Sequence, residues 1–169
     1  MHTLYLLRHA KSSWADPTLP DHERPLAQRG RRDAKRIGQH LVRLGIEPEL
    51  VLCSSARRTR ETLERLQPGL GTTSTVKVEA ELYAASSNKL LERIRAVPEE
   101  VTSLMLIGHN PGLQDLALTL ALPGPQLARL EVKFPTAALA TLSLPKASWR
   151  ELSEADAVLS AYVVPKELG

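Results

Sequence analysis

Apolar residues along the chain fall into short continuous runs separated by longer stretches with helical spacing. The runs are Leu4 to Leu7, Leu50 to Cys53, Leu104 to Ile107, Ala138 to Leu144 and Val158 to Val164, with a weaker one around Val76 to Val78. Runs of this length without polar alternation suit strands covered on both faces. Between them, helical periodicity predicts helices over roughly 26–44, 56–66, 87–97 and 112–121. In the first of these, Leu26, Ala34, Ile37, Leu41 and Leu44 form the inner face. Strands alternating with helices imply an α/β fold, with a central, mainly parallel sheet between helices. The last two strands follow each other without an intervening helix, so one of them is expected to be an antiparallel edge. Residues 11–25 and 122–136 are the longest predicted loops and are rich in proline. Loops of this length in a compact domain are often functional.

Two of the predicted strands end in histidine. Thr3-Leu4-Tyr5-Leu6-Leu7 runs into Arg8-His9-Ala10-Lys11, and Leu104-Met105-Leu106-Ile107 runs into Gly108-His109-Asn110-Pro111-Gly112. In an open parallel sheet the ligand crevice lies at the carboxyl ends of the strands, so these histidines can converge on one group. A cation beside an imidazole suits a nucleophilic histidine that attacks phosphorus while the arginine holds the phosphoryl oxygens. A third strand end, Val51-Leu52-Cys53-Ser54-Ser55, leads into Ala56-Arg57-Arg58-Thr59-Arg60-Glu61-Thr62. Either serine could cap that helix, with Arg57 or Arg58 turned toward an anion. Arg57 and Arg60 are read as a solvated basic face. Arg58 stands apart because it lies four residues after Ser54 and four before Thr62.

From Leu4 to about Leu144 the chain resembles the histidine phosphatase superfamily, and within it the small SixA-type phosphohistidine phosphatases. The resemblance is carried by Leu6-Leu7-Arg8-His9-Ala10-Lys11-Ser12-Ser13-Trp14, by Asp21-His22-Glu23-Arg24-Pro25-Leu26 and by Arg29-Gly30-Arg31-Arg32-Asp33-Ala34. It continues through Ser54 to Thr62, Glu81-Leu82-Tyr83, Gly108-His109-Asn110-Pro111 and Phe134-Pro135-Thr136-Ala137. It implies a phosphoglycerate mutase-like three-layer sandwich with His9 as the phosphorylated nucleophile. Arg8, Arg58 and His109 would form the anion pocket, Arg58 taking its place through the serine, three residues, arginine, three residues, threonine pattern. The superfamily usually has glycine after the catalytic histidine, whereas here Ala10 must fit. Many members also supply a carboxylate acid. Glu81 is the candidate, and a role as an exposed turn glutamate fits it equally.

An alkoxide leaving group needs a positioned acid, worth roughly 10²- to 10⁴-fold. The nitrogen leaving group of phosphohistidine depends on one less. The expected activity is a metal-independent phosphatase working through phospho-His9, most simply on phosphohistidine of a protein. A phosphatase of small phosphomonoesters and a weakly catalytic phosphoprotein-binding module are the alternatives. Attack requires a neutral His9 with one ring nitrogen free, and the charges of Arg8 and Arg58 oppose its protonation. Its other nitrogen should donate to a carbonyl. No cofactor is called for. His9, His22, His109 and Cys53 lack the paired spacing of a zinc site, and no P-loop run occurs.

Composition adds limits. A chain of 169 residues, 43% of them hydrophobic, is expected to form one domain over 1–169. Its formal charge of +3, from 22 basic and 19 acidic residues, gives no case for nucleic acid, and 4% aromatics leave little for base stacking. The arginines between Arg29 and Arg36 read as a solvated face or as a guide for an acidic protein partner. Lys11 is a candidate contact for phosphate or substrate, while Trp14 reads as a packing residue that anchors the loop. Cys53 is expected to be a buried, inert thiol. With no signal-peptide pattern and no apolar span near 18 residues, no membrane association and a cytoplasmic location are expected by default. A monomer is assumed.

Overall fold

The computed structural model describes residues 1–71, 73–146 and 148–168. Its strands are β1 (His2–Arg8), β2 (Leu50–Ser54), β3 (Thr75–Glu79), β4 (Ser103–Gly108), β5 (Leu139–Leu144) and β6 (Val158–Val163). They form one sheet in the order β3-β2-β4-β1-β5-β6. β1 through β4 run parallel, and β5 pairs antiparallel with both β1 and β6. The antiparallel strand is therefore internal. The edge strand β6 pairs antiparallel with its neighbour, as expected, and so runs in the direction of β1.

The helices are α1 (Gln28–Leu44), α2 (Arg57–Leu70), α3 (Ser87–Arg95), α4 (Gly112–Leu120) and α5 (Pro125–Val132). Alternation along the strands sorts the core into two layers. Leu4 and Leu6, Leu50 and Leu52, and Leu104 and Leu106 point to the face covered by α3, α4 and α5, where they meet Leu90, Ile94, Leu113, Leu116 and Leu130. Leu7, Val51, Cys53, Met105 and Ile107 point the other way, onto Ala34, Ile37 and Leu41 of α1 and Leu63, Leu66 and Leu70 of α2. Both faces of the central strands β2 and β4 are buried, which explains their unbroken apolar runs, whereas the edge strands β3 and β6 are largely exposed. The result is the α/β three-layer sandwich expected from sequence.

Two local readings change. The stretch 122–136 contains α5, whose first residue is Pro125; proline at that position starts a helix without loss, since its missing N–H would be unpaired anyway. Leu130 is its one buried residue among those described, so there was little periodicity to detect. Leu44, read as part of the α1 inner face, is 60% exposed. α1 has turned it away from the sheet in its last turn, and Gly45 then ends the helix with a φ of 66°, a left-handed cap that glycine adopts without Cβ strain.

The loop 11–25 is closed at its stem. Ala27 N–H donates to the Lys11 carbonyl at 2.8 Å, and Ser13 N–H donates to the Pro25 carbonyl at 2.8 Å. A 3-10 turn, Asp21–Glu23, stands on this stem. The start of α1 lies so close that a Cβ added to Gly30 would sit 2.1 Å from the Lys11 carbonyl oxygen, a rigid backbone atom. Gly30→Ala must push α1 off the segment that follows His9. We expect a loss of about 1–3 kcal/mol in urea unfolding, together with reduced turnover. An unchanged unfolding midpoint would contradict this packing.

Candidate active site

Parallel pairing sets the site. Arg8 is in register with Gly108 across β1 and β4, and Cys53 with Ile107 across β2 and β4, so three strands end at one level. The residues that follow, His9, His109 and Ser54, are thereby delivered to the same edge of the sheet. His9 N–H donates to the Gly108 carbonyl at 3.1 Å, and the two imidazole rings lie 5.3 Å apart between centroids. His9, Arg58 and His109 are all buried.

The His9 ring is held by one short bond, with Nδ1 2.7 Å from the carbonyl oxygen of Ala10. A carbonyl only accepts, so Nδ1 carries the hydrogen and Nε2 keeps the lone pair. Burial pushes the imidazole down to about 3. The Ala10 bond works against that shift, and the charges of Arg58 and Arg8, with that of His109 once it is protonated, reinforce it. Burial thus outweighs the arginine charges named from sequence. The Cβ of Ala10 is accommodated, since the residue is fully buried and its N–H donates to Thr62 Oγ1 at 3.0 Å. Thr62 Oγ1 in turn donates to the Arg58 carbonyl at 2.7 Å, tying the segment after His9 to α2.

Ser54 Oγ lies 2.8 Å from His109 Nε2 and accepts from Ala56 N–H at 3.3 Å. Neither Ser54 nor Ser55 caps α2 through a side-chain bond. The helix begins at Arg57 after an uncapped Ala56, and Ser55 Oγ instead meets His22 Nε2 at 2.8 Å. Burial also lowers His109, to about 4. Arg8 donates from NH1 to the Phe134 carbonyl at 3.1 Å. Among the described residues, Arg8 Nε and His109 Nδ1 are buried with no hydrogen-bond partner. These are the polar atoms that an oxyanion beside His9 would satisfy.

The carboxylate that engages this cluster is Asp21. Arg58 donates from NH1 to the Asp21 carbonyl at 2.8 Å and from NH2 to its Oδ2 at 3.0 Å. Tyr83 OH donates to the same Oδ2 at 2.5 Å, and Arg24 NH1 to Oδ1 at 3.0 Å. These bonds, that of Tyr83 foremost, hold the Asp21 carboxyl far below the usual range and keep it ionised. Tyr83 also stands edge-on to His109 and His22, at 5.6 and 4.8 Å. Asp21 and Tyr83 received no role from sequence, although both lie within the matching stretches. Asp21 meets Arg58 across 37 residues, a distance over which no periodicity links them.

Other expected residues fall outside the cluster. Glu81 sits on the 3-10 turn Ala80–Leu82, exposed and without a hydrogen bond to any described pocket residue. The turn buries Leu82 and leaves Glu81 facing solvent, and the carboxylate bonded to Arg58 is Asp21 instead. Lys11 is exposed, engaged only through its backbone. Trp14, expected to pack, is 69% exposed, with the Arg24 guanidinium 3.3 Å from its ring centroid. A cation on one face replaces burial there. Arg57 pairs with Glu61 at 2.9 Å on the helix surface. Cys53 is buried, its thiol pushed up to about 12, as a structural cysteine should be. Among the described residues no three His, Cys, Asp or Glu side chains form a metal-ligand cluster, and no helix is long and apolar enough to cross a membrane.

Two imidazoles, a strand-end arginine and a serine-to-threonine helix motif thus meet at one sheet edge. The family model described as histidine phosphatase superfamily (branch 1) matches residues 4–84. A protein of Mycobacterium tuberculosis strain H37Rv, itself uncharacterised, is 35% identical over 164 residues, spanning 95% of this chain and all of the relative. The chain belongs to the histidine phosphatase superfamily. Two solved structures that carry the SixA name extend the likeness over nearly the full length. One, from Nakamurella multipartitia, is 30% identical with a TM-score of 0.85, covering 97% of this chain and 96% of that one. The other, from Agrobacterium tumefaciens, is 32% identical with a TM-score of 0.81, covering 97% and 99%. Within the superfamily, the protein is a SixA-type histidine phosphatase.

A histidine whose folded pKa lies below its unfolded value stabilises the fold fully above that unfolded value. The contribution is lost as pH falls from about 6.5 toward about 3 for His9 and about 4 for His109. We expect the ring carbon-bound proton resonances of both to stay unchanged in NMR between pH 8 and about 5.5, bracketing the ordinary value near 6.5. Thermal stability should decline as pH falls below about 6.5, where the unfolded chain begins to take up protons that the native rings refuse. A resonance of either ring that titrates near 6.5 would contradict the buried, neutral pair.

Proposed function

We propose that this protein is a metal-independent phosphatase that removes phosphate from phosphohistidine on a protein, through a phosphohistidine formed on His9. His9 Nε2 attacks phosphorus as the bond from phosphorus to the substrate's imidazole nitrogen breaks, and that nitrogen takes its proton from solvent. Water then attacks phospho-His9, releasing inorganic phosphate and restoring the neutral ring. Arg8, Arg58 and His109 hold the charge that spreads over the three equatorial oxygens. Those groups belong to the chain, so the scheme assigns no step to a metal.

The observation that carries the choice of substrate is the state of Asp21. It is the carboxylate bonded to the pocket through Arg58, and Tyr83, Arg58 and Arg24 together hold it ionised. An ionised carboxylate has no proton to give a departing alkoxide. Phosphohistidine leaves through nitrogen and needs little help, so the pocket suits it better than an alkyl phosphate. The SixA relatives are named for phosphohistidine, which agrees with this reading. Glu81, exposed and outside the cluster, retains at most the role of a reserve acid at the rim.

The test compares phosphate release from a phosphohistidine-bearing protein and from a generic aryl phosphate, both in chelator, for the wild type, His9→Ala and Arg58→Ala. The expected result is a strong preference for phosphohistidine, insensitivity to chelator, complete loss with His9→Ala and a loss of at least about 10²-fold with Arg58→Ala. Turnover of the aryl phosphate alone would move the substrate to small phosphomonoesters. Normal turnover by His9→Ala would remove it as nucleophile.

A further inference from the structure

The arginine-bearing face of α1 does not stand alone. Opposite it the fold places α5 and the 3-10 turn Pro165–Glu167, leaving an open groove of about 680 Å³ between them. Six cations line it, Arg29, Arg32, Arg36, Arg129, Lys133 and Lys166, against a single carboxylate, Asp33. Asp33 is shared by Arg29 at 3.9 Å and Arg36 at 3.8 Å, and Arg129 is paired with Glu167 at 3.0 Å. Among the described residues, Arg32, Lys133 and Lys166 form no ion pair. Three segments remote in sequence thus contribute like charges to one concave surface, at a cost in repulsion that a complementary acidic partner would offset. The groove also offers apolar contact through Val132, which is 87% exposed.

The groove abuts the catalytic edge. Pro135 and Thr136 line it, and they lie between Phe134, whose carbonyl accepts from Arg8, and Ala137, whose N–H donates to the carbonyls of Arg8 and His9. On the other wall, Arg29 precedes Gly30, which rests against the Lys11 backbone two residues beyond His9. Arg29, Arg32 and Arg36 spread over two turns of α1, about 10 Å along its axis. That spacing matches several carboxylates in a row better than one compact anion.

We propose that this groove docks an acidic segment of the phosphorylated protein, holding its carboxylates along α1 while the phosphohistidine reaches His9. The inference rests on the phosphohistidine reading given above and adds the chemistry of the partner. It is tested with two synthetic phosphohistidine peptides, alike except that flanking Asp and Glu residues in one are Asn and Gln in the other. Both are assayed at low and high salt with the wild type and with the triple variant Arg32→Glu, Lys133→Glu, Lys166→Glu; 4-nitrophenyl phosphate reports on folding and chemistry.

The expected result is a preference of the wild type for the acidic peptide, about tenfold or more in kcat/KM at low salt. High salt and the triple variant should both erase it, with turnover of 4-nitrophenyl phosphate alike in the two proteins. Equal kcat/KM for both peptides, or a preference kept by the variant, would overturn the docking site alone. A parallel fall in 4-nitrophenyl phosphate turnover would overturn it too, since the groove would then serve the phosphoryl group itself. If 4-nitrophenyl phosphate is hydrolysed but neither peptide is, the phosphohistidine reading fails and the docking site with it.

Discussion

The site depends on the bond between His9 Nδ1 and the Ala10 carbonyl, made where the ring is buried. It decides which ring nitrogen keeps a lone pair, and burial decides that the ring stays neutral. Every other feature keeps that arrangement in place. The Ala10 carbonyl is positioned because Ala10 N–H is tied to Thr62, and Thr62 to Arg58 on α2. His9 itself is pinned by its own N–H to β4, the strand that delivers the second imidazole. His9, its tautomer, His109 and Arg58 are therefore fixed by one sheet and the first turn of one helix.

Positive charge concentrated around a neutral imidazole needs its own support. Asp21 supplies it by receiving Arg58 through both its carbonyl and its carboxylate, while Tyr83 and Arg24 keep that carboxylate in place. The 3-10 turn that presents Asp21 stands on a loop whose stem is zipped by Ser13 to Pro25 and Lys11 to Ala27. The loop 11–25 is thus part of the machinery that orients Arg58. On the proposed reading, an Asp21 carboxylate held as an anion favours leaving groups that need no protein acid.

The central strands were legible because both their faces are covered, which leaves apolar runs such as Leu104 to Ile107 in the sequence. The two histidines were legible because each directly follows such a run. Arg58 was separable from Arg57 only through its spacing to Ser54 and Thr62. α5 was hidden by its brevity and by the proline that begins it. Asp21 was hidden for a different reason, since its partners Arg58 and Tyr83 meet it only after the chain folds across the sheet edge. Glu81 drew attention by position in the chain, yet the 3-10 turn that buries Leu82 leaves it facing solvent. Trp14 shows the same limit, because an exposed indole resting on Arg24 and a buried one look alike in sequence.

The central claim is that His9 attacks through Nε2, and the most direct measurement is the attachment site of phosphorus in the covalent intermediate. Wild-type protein, with ¹⁵N in its histidine rings, would be mixed with an excess of phosphorylated substrate. It would then be quenched in base, where phosphohistidine survives, and examined by phosphorus and nitrogen NMR. The geometry predicts one phosphorylated ring, His9, with phosphorus bonded to Nε2 and Nδ1 still carrying hydrogen. Phosphorus on Nδ1 of His9, or on His109, would contradict the account at its foundation.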